Sequence, residues 1–318
     1  MWHLSTNAGA VGPLNGVWHH AQVRHRYLCP LRWGDMDMLG HVNNVRYVDY
    51  LQEARVDLFR SHSHDRYDGG TPGEALVEGI VVVRHEVTYL RPLLFSRTPV
   101  TIEVWVTRIR TASFTLAYEV FHERADGTRR VYLRASTVLA PYRFDAEQPR
   151  RLSDAERAML EQFLEPEPAA KRPAAVAVRP APERHYPVHV RFSDVDVYRH
   201  VNNVMYFEYF QEARIRLITD LASEVREGAR YHFVVAQTDV DYHRALTLRS
   251  DPYDCWTRIA SVGTSSVTME AAITAPEDTD TVLARARVVL VLFDPATQRP
   301  TPFPDEHRAL LDRLAAAE

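Results

Sequence analysis

Between residues 23 and 33 apolar and polar positions alternate, and Val23, His25, Tyr27, Cys29, Leu31 and Trp33 share one face of an extended segment. Tyr186, Val188, Val190 and Phe192 repeat the alternation later in the chain. A period of two predicts a β-strand with one covered face. The period then changes. Tyr47, Tyr50, Leu51, Ala54 and Leu58 recur at i, i+3, i+4, i+7 and i+11, and Tyr206, Tyr209, Phe210, Ala213 and Leu217 do the same. That spacing predicts a helix with one apolar stripe. Four strand-like runs come after each helix, at 80–90, 99–109, 113–123 and 129–144, then at 231–243, 251–262, 266–275 and 282–293. Breakers such as ADGT at 125–128 and TSS at 264–266 separate them. Each set closes with a short amphipathic stretch, 154–164 and 305–314. The predicted unit, made twice, is an α+β arrangement with one helix against one face of an antiparallel sheet.

The repetition extends to residue identity. Arg32–Leu58 and Arg191–Leu217 match at 15 of 27 aligned positions. The matches include Asp35/Asp194, Asp37/Asp196, His41/His200, Asn43/Asn202, Asn44/Asn203 and the Gln-Glu-Ala-Arg runs at 52–55 and 211–214. The spacing of 159 residues (194 − 35) is far longer than a solenoid repeat, so each copy is a domain. The expected boundaries are 21–164 for the first domain and 185–318 for the second. Residues 165–184, EPEPAAKRPAAVAVRPAPER, read as an extended Pro/Ala linker. At roughly 3.1 Å per residue they could span about 60 Å, enough to let the domains pack in a two-fold arrangement.

Composition narrows the function classes. The chain has 318 residues, 46% hydrophobic and 25% charged, the profile of a soluble globular protein. A formal charge of −4 supplies no basic excess for a phosphate backbone, so a nucleic-acid partner is not expected. Lys171 is the only lysine, and the other 37 basic residues (38 − 1) are arginines, a pattern that fits GC-rich codon usage. Cys29 and Cys255 lie at non-matching places in the two copies, which argues against a disulfide framework. There is no basic start followed by an apolar run, and no stretch of roughly 20 apolar residues to span a bilayer. A cytoplasmic setting is expected.

The segments DMDMLGHVNN (35–44) and DVDVYRHVNN (194–203), each leading into a Tyr-x-x-Tyr-x-Gln-Glu-Ala-Arg helix, resemble the hotdog fold. More narrowly they resemble the 4-hydroxybenzoyl-CoA thioesterase and acyl-ACP thioesterase branch. The resemblance implies two hotdog domains in tandem, each a long central helix wrapped by an antiparallel sheet of about five strands. Together they would form an intrachain pseudo-dimer. It implies an acyl thioester of coenzyme A, or of acyl carrier protein, as substrate, with no metal or redox cofactor. By the resemblance, Asp37 and Asp196 match the essential carboxylate, and the N–H gripping the thioester carbonyl lies near Asn44 and Asn203. His41 and His200 match a further site histidine. The acyl-ACP branch carries Asn two residues after the Asp, where this chain has Leu39 and Tyr198.

Physical chemistry supports this division of roles. Thioester hydrolysis needs a nucleophile or a base for water, and donors for the developing oxyanion. The cluster falls where a strand ends and a helix begins, and a helix N-terminus offers unpaired N–H groups and the positive end of the macrodipole. Asp35 and Asp194 are expected to shape the turn. Asn43 and Asn44 are both N-cap candidates, as are Asn202 and Asn203 in the second copy; Asn43 is expected to be structural and Asn44 to contribute backbone rather than side chain. Tyr47 and Tyr50 belong to the core stripe, and Glu53 and Glu212 are expected to pair with a nearby arginine. Gly40 permits φ > 0 and close approach of a ligand. Arg199 in the second copy is not expected to offer that; either it reaches a CoA phosphate or a substrate carboxylate, or the second site is weakened and the second copy supplies only the facing wall of the first. The SHSHD run at 61–65 reads as a solvated loop, and arginines at 129–134 and 285–287 as solvent-facing strand positions. The competing reading is a non-catalytic acyl-CoA-binding or sensor module.

Overall fold

The computed structural model describes residues 23–62, 78–168, 178–223, 232–294, 296–297 and 299–316. In the first half the elements are β1 (His25–Cys29), α1 (Arg46–His62), β2 (Glu78–Tyr89), β3 (Val100–Ile109), β4 (Phe114–Glu123), β5 (Arg129–Arg143), a two-residue β6 (Gln148–Pro149) and α2 (Asp154–Glu161). The second half repeats the order with β7 (His185–Val188), α3 (Met205–Ser223), β8 (His232–Tyr242), β9 (Tyr253–Val262), β10 (Ser266–Ala275), β11 (Asp278–Asp294), β12 (Arg299–Pro300) and α4 (Asp305–Ala316). Within the linker interval, Glu165 is fixed to the first half. Its N–H donates to the Val106 carbonyl (2.8 Å) and its carboxylate accepts from Arg24 (2.6 and 2.8 Å). Residues 169–177 of that interval lie outside the described residues.

All strands join one antiparallel sheet ordered β1-β3-β4-β5-β2-β8-β11-β10-β9-β7. The order is a mirror about β2·β8, so the two halves meet edge to edge rather than through the linker. The seam pairs Arg84 with Asp241, His85 with Val240, Glu86 with Asp239, Val87 with Thr238 and Thr88 with Gln237. Val87 and Val240 have no solvent exposure. The Arg84 guanidinium donates to Asp241 across the seam and to Glu86 (2.9 Å) beside it.

Each long helix buries its stripe under this sheet. Tyr47, Val48, Tyr50, Leu51, Ala54 and Leu58 of α1 join the same apolar core as Tyr206, Phe207, Tyr209, Phe210 and Ala213 of α3. Fully burying a leucine such as Leu51 contributes about 1.5–3 kcal/mol. α2 begins with a capping box, in which the Ser153 Oγ accepts from the Glu156 N–H and the Glu156 carboxylate accepts from the Ser153 N–H.

Several expectations need correction. The first strand of each copy ends earlier than its alternation implies. Trp33 and Phe192 stand in short 3-10 turns, Trp33–Asp35 and Phe192–Asp194, and are 74% and 85% exposed. Pro30 comes directly after β1 and has no N–H with which to continue the ladder to β3. The arginines at 129–134 do more than meet solvent. Arg129 and Arg134 donate to Glu119, and Arg129 also to Glu103, so buried carboxylates on β3 and β4 are neutralised from β5. Residues 63–65 of the SHSHD run lie outside the described residues, and His62 contacts His25 (3.3 Å).

Candidate active site

The repeated decapeptide forms a miniature hairpin between the 3-10 turn and the long helix. In the first copy Met36 and Val42 form an antiparallel bridge, and the Asp37 N–H donates to the His41 carbonyl (2.8 Å). The Gly40 N–H closes the tip on the Asp37 carbonyl (3.0 Å). The second copy matches bond for bond: Val195 bridges Val201, Asp196 donates to His200 (2.8 Å), and Arg199 donates to the Asp196 carbonyl (3.0 Å). Gly40 has φ +76° and Arg199 has φ +64°. The expected contrast between these residues is therefore overturned. Arg199 takes the same left-handed conformation as Gly40, at a cost of roughly 1–2 kcal/mol. A Cβ on Gly40 would meet nothing within 4 Å, so space does not select glycine there.

The two aspartates of each copy have different surroundings. Asp35 is buried, its carboxylate accepting from Arg32 Nε (2.9 Å) and from the Tyr50 hydroxyl (2.6 Å). Asp194 is held likewise by Arg191 (3.0 Å) and Tyr209 (2.7 Å). Burial opposes their charge, but these donors outweigh it and hold both carboxyls below the usual range. The second aspartate is tied by one oxygen only. Asp37 Oδ1 accepts the Leu39 N–H (2.8 Å) and the His41 N–H (3.2 Å), and Asp196 Oδ1 accepts the Tyr198 N–H (2.9 Å). Among the described residues Oδ2 of each has no partner, so each carboxylate is positioned through one oxygen and leaves the other unbonded. Burial raises the Asp196 pKa against the opposing backbone donors and His200.

Asn43 and Asn202 start the helices. Their Oδ1 atoms accept from Val45 and Val204 N–H (3.0 Å each), and their N–H groups donate to the Asp35 and Asp194 carbonyls (2.9 and 2.8 Å). At Asn44 and Asn203 the carbonyl accepts from the hydroxyls of Tyr89 (2.9 Å) and Tyr242 (2.7 Å). Among the described residues neither of their N–H groups has a hydrogen-bond partner. Each half thus carries, seven residues apart (44 − 37 and 203 − 196), an anchored carboxylate and a free N–H at a helix N-terminus. The His41 imidazole has no hydrogen-bond partner among the described residues, and the His200 ring packs 5.7 Å from that of Phe144.

The opposite half reaches the second cluster. Asn203 Nδ2 donates to Gln52 Oε1 on α1 (3.0 Å), and Asn203 Oδ1 accepts from His85 Nε2 on β2 (3.0 Å). His85 Nδ1 in turn accepts from the Thr137 hydroxyl (2.8 Å). His85 is fully buried, and burial, aided by Arg55, lowers its pKa to about 3. It is therefore neutral, and a neutral ring fits this one-donor, one-acceptor pattern. Glu208 on α3 accepts from Arg46 on α1 (3.0 Å) and from Arg191 (3.1 Å), a further tie across the halves. His85 and Gln52 escape the sequence reading because they come from the other half. Gln52 lies in the duplicated Gln-Glu-Ala-Arg run, a signal that could have found it. Glu53 and Glu212 are exposed and pair with no arginine among the described residues, contrary to expectation.

The same two segments are where known families match. The family model of the Thioesterase-like superfamily matches residues 31–163 and again 190–311, and the chain belongs to that superfamily. It is similar to the long-chain acyl-CoA thioesterase FadM of Escherichia coli (strain K12), 29% identical over 128 residues, which are 40% of this chain and 96% of that protein. It is 36% identical to the uncharacterized protein YsmA of Bacillus subtilis (strain 168) over 85 residues, 26% of this chain, and so spans about half (54%) of that relative. The fold is similar to that of the 12:0-ACP thioesterase from Umbellularia californica, with TM-score 0.65 and 16% identity over 85% of this chain and 94% of that one. The fold is thus hotdog-like, a large antiparallel sheet with helices. No described helix is long and apolar enough to cross a membrane.

Proposed function

We propose that this chain is an acyl-CoA thioesterase that hydrolyses an acyl thioester to free acid and coenzyme A. The observation that carries the reading is the hairpin, built twice with the same backbone hydrogen bonds, that anchors a carboxylate by one oxygen seven residues before a free helix N-terminal N–H. In this reading the chain is two hotdog domains, 21–164 and 185–318, joined by the 165–184 linker as an intrachain pseudo-dimer. The thioester carbonyl oxygen takes its donors from the Asn44 or Asn203 N–H and the positive end of the helix. The free oxygen of Asp37 or Asp196 attacks the carbonyl carbon and expels the CoA thiolate, leaving an anhydride that water hydrolyses to the free acid, or it removes a proton from a water that attacks the carbonyl and expels the thiolate directly. His41 and His200 flank the reacting group, and Gly40, Arg199 and the asparagines line the substrate. No metal or redox cofactor takes part. Similarity to the long-chain acyl-CoA thioesterase FadM and to the 12:0-ACP thioesterase supports a thioester substrate, on coenzyme A or on acyl carrier protein. Two free, buried thiols, Cys29 and Cys255, support a reducing, cytoplasmic setting.

The test is thiol release from a panel of aromatic and aliphatic CoA thioesters of graded length. Asp37→Asn and Asp196→Asn together should lower kcat/KM by on the order of 10²–10⁴-fold. Wild-type turnover by the double variant would sink the carboxylate assignment. Tight acyl-CoA binding by the wild type with no turnover at any length would favour a sensor.

A further inference from the structure

The two hairpins share their backbone hydrogen bonds, yet the residues just after the aspartate differ between them. In the first copy Leu39 stands 42% exposed beside Asp37, and Met38 is 98% exposed. In the second copy the matching residue, Tyr198, donates its N–H to Asp196 and turns its ring onto the other half. That ring stacks on Phe144, just beyond β5, with centroids 4.1 Å apart and planes 12° apart. Phe144 also meets Tyr142 edge-on (5.2 Å) and lies against His200. Beneath the pair runs the start of β2. A Cβ on Gly79 would fall 2.8 Å from Phe144 Cε2 and 2.9 Å from the Tyr198 hydroxyl, so a side chain there would displace the two rings. Two residues from Asp196, rings drawn from both halves thus pack on one another and beside His200. Among the described residues no such stack covers Asp37.

We propose that Tyr198 and Phe144 form an aromatic gate that sets acyl size at the Asp196 site, so that one chain carries two sites of unequal reach. The Asp37 site, with Leu39 in place of the tyrosine, takes long acyl chains. The Asp196 site takes only groups small enough to sit beside the closed rings. The gate spans the two halves, with Phe144 and Gly79 on the first and Tyr198, beside Asp196, on the second, so the fit of the seam tunes selectivity. The inference rests on the thioesterase reading for the nature of what enters.

Non-hydrolysable S-alkyl-CoA thioethers separate the two ideas, because they report binding without turnover. Titration calorimetry on the full chain should give two equivalents of S-ethyl-CoA but one of S-hexadecyl-CoA. Tyr198→Leu should raise the long-chain stoichiometry to two, and Phe144→Ala should do so from the other half. In the Asp37→Asn background, Tyr198→Leu should also raise kcat/KM for palmitoyl-CoA by roughly tenfold or more. Two equal long-chain sites in the wild type, or a stoichiometry left at one by both gate variants, overturns the gate, as does failure of any thioether to bind. If the stoichiometries follow the gate and no acyl-CoA is hydrolysed, the hydrolase reading alone fails.

Discussion

Replacing His85 by leucine tests the seam at the point where it supports the second cluster. In the folded chain this imidazole is fully buried, donates to Asn203 Oδ1 and accepts from Thr137. Leucine removes both bonds and leaves a buried amide oxygen without its donor. The expected loss at pH 7.5 is about 2–4 kcal/mol. The sharper signature is pH. Unfolded histidine titrates near 6.5, whereas burial, and then Arg55, depress the folded value to about 3. The unfolded chain therefore takes up a proton below about pH 6.5 that the folded chain refuses until about pH 3. Stability conferred by this residue is complete above pH 6.5 and falls as pH drops through that window. At pH 5 the unfolded value lies about 1.5 units above the solution pH, and at about 1.4 kcal/mol per unit the wild type has lost about 2 kcal/mol. The His85→Leu chain lacks that loss. Urea unfolding of both proteins at pH 7.5, 6 and 5 should show their stability gap narrowing by about 2 kcal/mol. A gap constant to within about 0.5 kcal/mol would refute a neutral His85 at the seam.

Other consequences are equally direct. Arg199→Gly should relieve the left-handed strain and, net of the chain entropy glycine adds, stabilise by roughly 0.5–1 kcal/mol, while Gly40→Arg should destabilise by about 1 kcal/mol; paired thermal melts check both. Tyr50→Phe removes a hydroxyl that donates to the Asp35 carboxylate at 2.6 Å and should cost about 1.5–3 kcal/mol, read by urea midpoint. Burial pushes both thiols up to about 12, so a disulfide reagent at pH 8 should find neither Cys29 nor Cys255 until denaturant is added. Rapid labelling of the native chain would contradict their placement.

Much of this was legible in the residues, for physical reasons that also mark the limits. The i, i+3, i+4 stripe from Tyr47 to Leu58 located α1, because one face of a helix must bury its apolar side chains. The duplicated Asp and Asn residues located the hairpin, because Asp37 and Asn43 each serve a side-chain bond within a few positions, to Leu39 and His41 and to Val45. What crosses the seam was not legible. Nothing about His85, a single histidine in a Val-rich strand, shows that Asn203, 118 residues later, will accept its proton. Nor does Phe144 disclose that Tyr198 will lie on it. Such pairs are set by which strand edges meet, and β2·β8 pairing is a long-range event with no local code. The exposed Trp33 and Phe192 mislead for a related reason. They continue an alternating pattern past the last residue that pairs with β3 or β9.

Duplication within one chain gives these differences their meaning. In a homodimer every substitution appears at both symmetry-related places, so a tyrosine gate would close both sites and a seam histidine would support both clusters. Here the strand position facing Asn203 carries His85, whereas the position that mirrors it across the seam carries Thr238, whose hydroxyl is buried with no hydrogen-bond partner among the described residues. Leu39 faces Tyr198 in the same comparison, and Gly40 faces Arg199. Each departure falls on or beside a cluster, while the bonds that build the hairpin are kept to within 0.1 Å in both copies. The two copies thus share the presentation of the carboxylate and differ in its surroundings. Exchanging those surroundings without touching the hairpin is the test: Leu39→Tyr should lower long-chain turnover at the Asp37 site, measured in the Asp196→Asn background, and leave short-chain turnover within about threefold of its parent. Equal loss at both lengths would mean that the hairpin itself had been disturbed and that the surroundings do not set reach.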